Sequence, residues 1–239
     1  MKAIVLSCDR YRPITQHMIL QYECLWPDHP FVFRVPYQLL AAPQTPRLEF
    51  IRTPPEIRAT ALKLLEDLDD DEWVYWSIDD KYPVRLIIDK IGELMTDAVR
   101  SPDIAALLFC RRGPVLENPE LTLYSERRFN SQGQVYLERK GWHQIWLHQF
   151  IKVKVLRYLF THLPHDLASP KLMDYLKDEI PKPPEYRLLV TEENFAIFGE
   201  STTKGAITKN CYESIKRTNI ALPKWFRRPS KHFVMMGEL

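Results

Sequence analysis

Three short runs hold side chains that can do chemistry together. Asp79-Asp80-Lys81 sets two carboxylates beside an ammonium, directly after the apolar run at residues 73–78. Ser7-Cys8-Asp9-Arg10-Tyr11 follows the apolar opening at residues 3–6, and Glu200-Ser201-Thr202-Thr203-Lys204-Gly205 follows an aromatic run at 195–198. Carboxylates accept hydrogen bonds and protons, and a lysine neutralises an anion as a mobile point charge. The hydroxyls and lysine of the third run suit phosphate or sugar binding.

Each of these runs closes a segment that reads as a β-strand, and the position matters. Open α/β sheets bind their ligands outside the carboxyl ends of the strands, so polar residues that end strands outrank those that begin them. By that rule the acidic run Asp67-Leu68-Asp69-Asp70-Asp71-Glu72, although richer in charge, precedes its strand. It is expected at the opposite edge of the sheet as a solvated connection.

The supporting elements follow from apolar spacing and punctuation. Residues 3–6 form a short apolar run without alternation, which suits a parallel strand buried on both faces. A helix over 14–25 starts at Pro13, whose missing N–H costs nothing in a first turn. Strands are expected at 31–35 and 48–52, then a helix over 59–68 capped by Thr53. A strand at 72–78, a helix over 84–95 and a strand at 105–110 continue the alternation. Residues 121–124 and 134–138 pair antiparallel, and 142–163 reads as a helix. Prolines at 164–170 and 181–184 interrupt the chain before strands at 186–190 and 195–198 and a helix over 207–215. The fold class is α/β: a mainly parallel sheet flanked by helices, with a partly antiparallel C-terminal half, in one domain.

Composition narrows the function. The chain has 239 residues, 45% hydrophobic and 27% charged, so neither disorder nor a coiled coil is expected. Thirty-three Lys+Arg against 31 Asp+Glu leave a net charge of +2, too even for bulk phosphate neutralisation, and nucleic acid is not an expected partner. Only 7 glycines accompany 19 prolines, and no two glycines are spaced for a phosphate-cradling loop, which excludes a P-loop kinase and a dinucleotide dehydrogenase. The four cysteines are scattered without a Cys-x-x-Cys pair, so a zinc site and a redox centre drop out. The apolar opening is too short for a signal-peptide core and no run approaches the ~20 apolar residues of a membrane span, which predicts a cytoplasmic protein. The basic and aromatic run 224–233 would suit peripheral contact with a membrane surface carrying a lipid-linked acceptor.

An N-terminal strand and polar turn, an α/β half, and paired aspartates closing a later strand resemble the GT-A glycosyltransferase family, over about the first half of the chain. The resemblance implies transfer of a sugar from a nucleotide diphosphate donor to a glycan or lipid-linked acceptor. It makes 1–113 the donor nucleotide-binding half and 114–239 the acceptor side. The first turn, Ser7, Asp9, Arg10 and Tyr11, would then hold the nucleotide. Asp79 and Asp80 would contact the ribose and a divalent Mn or Mg ion. Lys81 stands where the family usually has its metal-binding aspartate, which leaves metal at Asp80 an open question. Lys81 and Lys204 can meet the phosphates instead.

Such chemistry needs positive charge beside a leaving diphosphate and, for an inverting transfer, a carboxylate base; Glu200 at a strand end is the candidate base and Asp80 its catalytic companion. A retaining transferase would not use Glu200 as a base. Trp142, His143 and Arg111 are candidate acceptor contacts, although Trp146 and Phe150 at helical spacing read as core. Cys8 lacks a partnering histidine motif, and His162 and His165 carry no assigned role. The rival readings are a sugar nucleotidyltransferase, disfavoured by the glycine-free first turn, and a non-catalytic nucleotide- or glycan-binding protein on the same fold.

Overall fold

A computed structural model describes residues 1–111, 123–129, 133–165, 169–226 and 228–237. Strand β1 (Lys2–Leu6) leads through a short 3-10 turn at Asp9–Tyr11 into α1 (Arg12–Leu25), with Pro13 in its first turn. Strands β2 (Val32–Tyr37) and β3 (Leu48–Arg52) precede α2 (Ile57–Leu65) and β4 (Trp73–Ile78). Then come β5 (Lys81–Leu86), α3 (Ile88–Arg100), β6 (Ile104–Leu108), β7 (Tyr124–Phe129) and β8 (Val135–Arg139). β9 (Gln149–Lys152) runs into α4 (Val153–His162), followed by α5 (Pro170–Leu176), β10 (Arg187–Thr191) and β11 (Ala196–Glu200). A hairpin of β12 (Thr202–Thr203) and β13 (Ala206–Ile207), α6 (Lys209–Ile215) and β14 (Met235–Met236) complete the described chain.

Nine strands form one sheet in the order β3-β2-β1-β4-β9-β6-β10-β8-β7. The first four are mutually parallel and β6 is parallel to β10, whereas β9 and β8 run against their neighbours. The sheet is therefore mixed, mostly parallel in its core and flanked by helices, as the fold reading expected. Both faces are buried, and adjacent residues serve opposite sides. Ala3, Val5 and Tyr75 join the apolar layer under α1, α3 and α6, while Ile4, Val74 and Trp76 join the layer under α2, α4 and α5.

Departures from the expected elements have local causes. Residues 81–86 are strand where a helix over 84–95 was expected, and α3 begins only at Ile88. β5 leaves the main sheet to pair with β11, in a three-stranded sheet ordered β14-β11-β5. As an outer strand it tolerates Pro83, which has no N–H to give to a ladder. The expected helix over 142–163 is an irregular segment, then β9, then α4. Gly141 and Gln144 have φ of 88° and 57°, which no helix accommodates, and the apolar Phe150 and Ile151 are taken by the gap between β4 and β6. The second half of the chain thus supplies a strand inside the first half's sheet. Glu56 rather than Thr53 stands at the N-cap position of α2, without a side-chain cap bond; the Thr53 hydroxyl is engaged with Gln38 and Thr60. The expected antiparallel pairing near 121–138 is present as β7 with β8, and residues 121 and 122 lie outside the described residues. No described helix is long and apolar enough to cross a membrane.

The acidic run behaves as expected of a solvated connection at the other edge. Asp67 pairs with Arg34 at 2.7 Å, Asp71 with Lys154 at 2.6 Å, and Asp70 with Arg157.

Candidate active site

β1 and β4 are adjacent and parallel, with Leu6 opposite Ile78, so the polar residues after each meet at one edge. The Ser7 hydroxyl donates to Asp79 Oδ2 at 2.6 Å and lies 2.7 Å from the Thr15 hydroxyl. Thr15, two residues past Pro13 on α1, is a member of this site that the sequence reading did not name. Burial pushes the Asp79 carboxyl up to about 7; the Ser7 bond opposes that rise and the neighbouring Asp80 charge adds to it. Asp79 thus sits in its titration range near neutral pH.

Asp80 and Lys81 turn the chain from β4 into β5. Lys81 Nζ donates to Asp80 Oδ1 at 3.0 Å, and the Asp80 carbonyl accepts from the Ser201 amide. In the β5–β11 register Lys81 faces Glu200 directly, which puts their Cβ atoms about 5 Å apart. Three residues expected from separate strand ends, Asp80, Lys81 and Glu200, therefore share one corner. Among the described residues no group of three or more His, Cys, Asp or Glu could hold a metal ion. The donor set fits a resident ammonium, with Asp80 already bound to it, better than a resident divalent cation.

In the first turn, Asp9 is engaged within the chain. Asp9 Oδ2 accepts the backbone N–H groups of Gln38, Leu39 and Leu40, and Oδ1 accepts Arg12 at 2.7 Å. Burial alone would raise the Asp9 pKa, but these bonds outweigh it and hold the carboxyl below its usual value. Asp9 is an anchor for the 38–40 loop; its oxygens are taken. Arg10 is exposed and lies over the Trp225 ring at 4.7 Å, and the Tyr11 ring meets Trp225 edge-on at 5.9 Å. Cys8 is half-buried, and its thiol is pushed up by burial and then by Asp79, the reverse of what a nucleophile needs. Lys204 stands at the exposed tip of the β12–β13 hairpin, where it and Gly205 take φ of 50° and 78°.

Behind the corner runs a buried chain of polar groups that sequence reasoning missed. His148 Nε2 lies 3.0 Å from the Ile78 carbonyl, His148 Nδ1 2.7 Å from the Tyr22 hydroxyl, and that hydroxyl 2.6 Å from the Tyr75 hydroxyl. A carbonyl only accepts, so Nε2 carries the proton, Nδ1 accepts from Tyr22, and Tyr22 accepts from Tyr75. Burial lowers the His148 pKa to about 3, consistent with a neutral ring. No local motif marks Tyr22, Tyr75 and His148, which lie on three different elements.

The proposed acceptor contacts do not join the corner. Trp142 is buried, its Nε1 donating to the Ile180 carbonyl at 2.7 Å and its ring stacked with Tyr158, so it presents no face for a sugar. His143 packs edge-on against Tyr124, its pKa lowered to about 4 by burial and then by Arg139. Arg111 gives Nε to the Glu192 carbonyl at 2.7 Å and its amide to Asn194, bracing the 192–194 turn; Arg112 and Gly113 lie outside the described residues. Clefts of about 390 Å³ between α1 and α6 and about 800 Å³ beside α2 are lined by none of the corner's residues.

No protein-family model and no curated protein matches the sequence. Among solved structures, the chain is similar to the galactosyltransferase LgtC in complex with donor and acceptor sugar analogs, at 14% identity over 77% of this chain and 67% of that one, TM-score 0.41. TarS 1–349 of S. aureus is similar at 13% identity over 82% and 59%, TM-score 0.46. The 2-C-methyl-D-erythritol 4-phosphate cytidylyltransferase of Thermus thermophilus is similar at 11% identity over 90% and 97%, TM-score 0.46. Galactosyl transfer and cytidylyl transfer are different reactions, and identities this low carry neither to the present chain.

Proposed function

We propose that this protein transfers a sugar from a nucleotide diphosphate donor to a glycan or lipid-linked acceptor. The observation that supports this most is the corner itself: Lys81, with a side chain only 10% exposed, bonded to Asp80 and opposite Glu200 in the β5–β11 register, at the carboxyl edge of β4. In the proposed reaction Glu200 takes the proton of the acceptor hydroxyl as the acceptor oxygen bonds to the anomeric carbon. The bond from that carbon to the diphosphate oxygen breaks, and the nucleotide diphosphate departs with the electron pair. Lys81 neutralises the charge developing on it, and Asp79 and Asp80 accept hydrogen bonds from donor hydroxyls.

The test is release of free nucleotide diphosphate from a panel of nucleotide sugars in the presence of an acceptor mixture. Asp80→Asn should abolish release while leaving the melting temperature close to wild type, since its amide oxygen can still accept from Lys81 and its backbone carbonyl keeps the Ser201 bond. Intact turnover in that variant would move the site elsewhere. A second reading, a nucleotide- or glycan-binding protein without turnover, draws support from Lys81, bonded to Asp80 and standing where the GT-A resemblance implies a metal-binding aspartate. Calorimetry separates the two: tight donor binding without diphosphate release would favour the binding protein.

A further inference from the structure

Among the described residues eight large apolar side chains are exposed, and four of them gather around the candidate site. Leu39 and Leu40, 87% and 59% exposed, are consecutive, and their amides are tied to Asp9. The loop is thus pinned while it holds two leucines in water. Asp9 continues into Arg10, whose guanidinium lies over the exposed Trp225. From Trp225 the chain runs back past the site: Lys209 donates its amide to the His232 carbonyl and Glu200 to the Val234 carbonyl, which leaves Phe233 between them, 61% exposed. Singly scattered apolar residues need no explanation, but these are joined through one turn and one strand to the same edge.

The charges of the C-terminal segment are uneven as well. Between Glu213 and Glu238 the sequence has six Lys or Arg residues and no Asp or Glu, in a chain whose net charge is only +2. Of these Lys224, Arg228 and Lys231 are exposed beside Trp225 and Phe233, and Arg10 adds a further exposed cation. Apolar side chains that enter the headgroup boundary, flanked by cations that pair with acidic headgroups, match a bilayer bearing anionic lipid. We infer that the Leu39–Leu40 loop and the Lys224–Phe233 segment together form a membrane-docking face that sets the mouth of the site against an anionic lipid surface. This face is more than the C-terminal run alone, because half of its apolar contact comes from a loop nearly two hundred residues earlier.

The test is sedimentation with vesicles of phosphatidylcholine, with and without phosphatidylglycerol, using the full chain and no nucleotide or sugar. Its outcome is therefore independent of the transfer reading. Wild type should co-sediment with the phosphatidylglycerol vesicles and be released by high salt. Lys224→Glu with Lys231→Glu should lower the partition by about fivefold or more for each residue changed. Leu39→Asp with Leu40→Asp should lower it by about tenfold or more while leaving the melting temperature unchanged, since both side chains are in solvent. Wild type remaining in solution with both vesicle types overturns the proposal, as does unchanged partition of either double variant. A dimer in sedimentation velocity that Leu39→Asp dissociates would give the face to a second copy instead, and would overturn it too.

Discussion

Lys81 Nζ lies 3.0 Å from Asp80 Oδ1, and the ammonium is the buried partner: its side chain is 10% exposed, against 43% for the carboxylate. Asp80 keeps its water while Lys81 has exchanged most of its own for protein. An ammonium has three N–H donors, and Asp80 takes one of them. With Glu200 facing it across the β5–β11 ladder, the lysine is pre-oriented, and the donors left over are available to an anion at the edge of the sheet.

Removing that cation should be felt by a phosphate ligand more than by the fold's other contacts. Lys81→Met is expected to weaken binding of a nucleotide diphosphate by about thirtyfold to several thousandfold, since truncating one member of a buried charge pair typically costs about 2–5 kcal/mol. Lys81→Arg should recover part of the loss. Titration calorimetry in buffer with Mn²⁺ and again with EDTA checks this. Binding that collapses with EDTA and ignores Lys81→Met would show that a metal, not the lysine, carries the phosphates.

Asp79 should make both stability and binding depend on pH near neutrality. Its folded pKa is about 7 against an unfolded value near 3.8, so folding favours the protonated form. The sign follows: this group's contribution is fully favourable below about pH 4, is lost as pH rises toward 7, and stays lost above it. The full loss is on the order of a few kcal/mol. Urea unfolding at about pH 5 and about pH 8 should show wild type weakened at the higher pH relative to Asp79→Asn, which cannot ionise. Nucleotide diphosphate should also bind more tightly on the acid side of 7 in wild type alone. Parallel pH profiles for the two proteins would mean that Asp79 is ionised throughout.

Asp9 titrates with the opposite sign. Burial raises its pKa, but the amides of Leu39, Leu40 and Gln38 and the Arg12 guanidinium outweigh that and leave it lowered. Its stabilising contribution is present above the ordinary carboxylate range and is lost as pH falls through the lowered folded value. Asp9→Ala strands three loop amides and should cost about 2 kcal/mol or more. Hydrogen exchange at Leu39 and Leu40 reads the same event locally, and both amides should exchange much faster in the variant. Unaltered protection there would mean that the loop is held by other contacts.

The parts legible in the sequence were those carried by local pattern. An apolar run followed at once by polar residues located the ends of β1, β4 and β11, and so Ser7, Asp79 and Glu200. Asp67–Glu72 was placed at the far edge by the same logic. What local pattern cannot carry is a partner supplied from elsewhere in the chain. Residues 149–152 are strand only because β4 and β6 leave a gap that they fill, and without that gap their apolar spacing reads as helix. Residues 81–86 are strand only because β11 arrives from over a hundred residues later. Trp142 looks like an exposed stacking platform until α4 and the Ile180 carbonyl close over it. Asp9 has the right position for a ligand contact, and only the return of the 38–40 loop reveals that its oxygens are spent.

His148 offers the sharpest check on the ground beneath the site. It is buried among Tyr22, Tyr75 and Phe198, and its Nε2 proton is directed at the carbonyl of Ile78, the residue before Asp79. Ionising the ring would force Nδ1 to donate, breaking the bond from Tyr22 and reversing a chain whose direction the Ile78 carbonyl fixes. With a folded pKa of about 3 against an ordinary 6.5, the neutral ring's contribution is complete above 6.5 and is lost as pH falls toward 3. Nitrogen-15 spectra of the histidine side chains should show His148 as the neutral Nε2–H tautomer at about pH 5, where exposed histidines are charged. His148→Phe keeps an aromatic ring beside Phe198 but removes the donor and the acceptor, and should destabilise by about 1–3 kcal/mol. If the chain sets the Asp79 corner, that variant also shifts the pH dependence of nucleotide binding, whereas a packing role alone would lower stability and leave the pH profile where it was. An imidazolium signal from His148 at about pH 5 would sink the directional chain altogether.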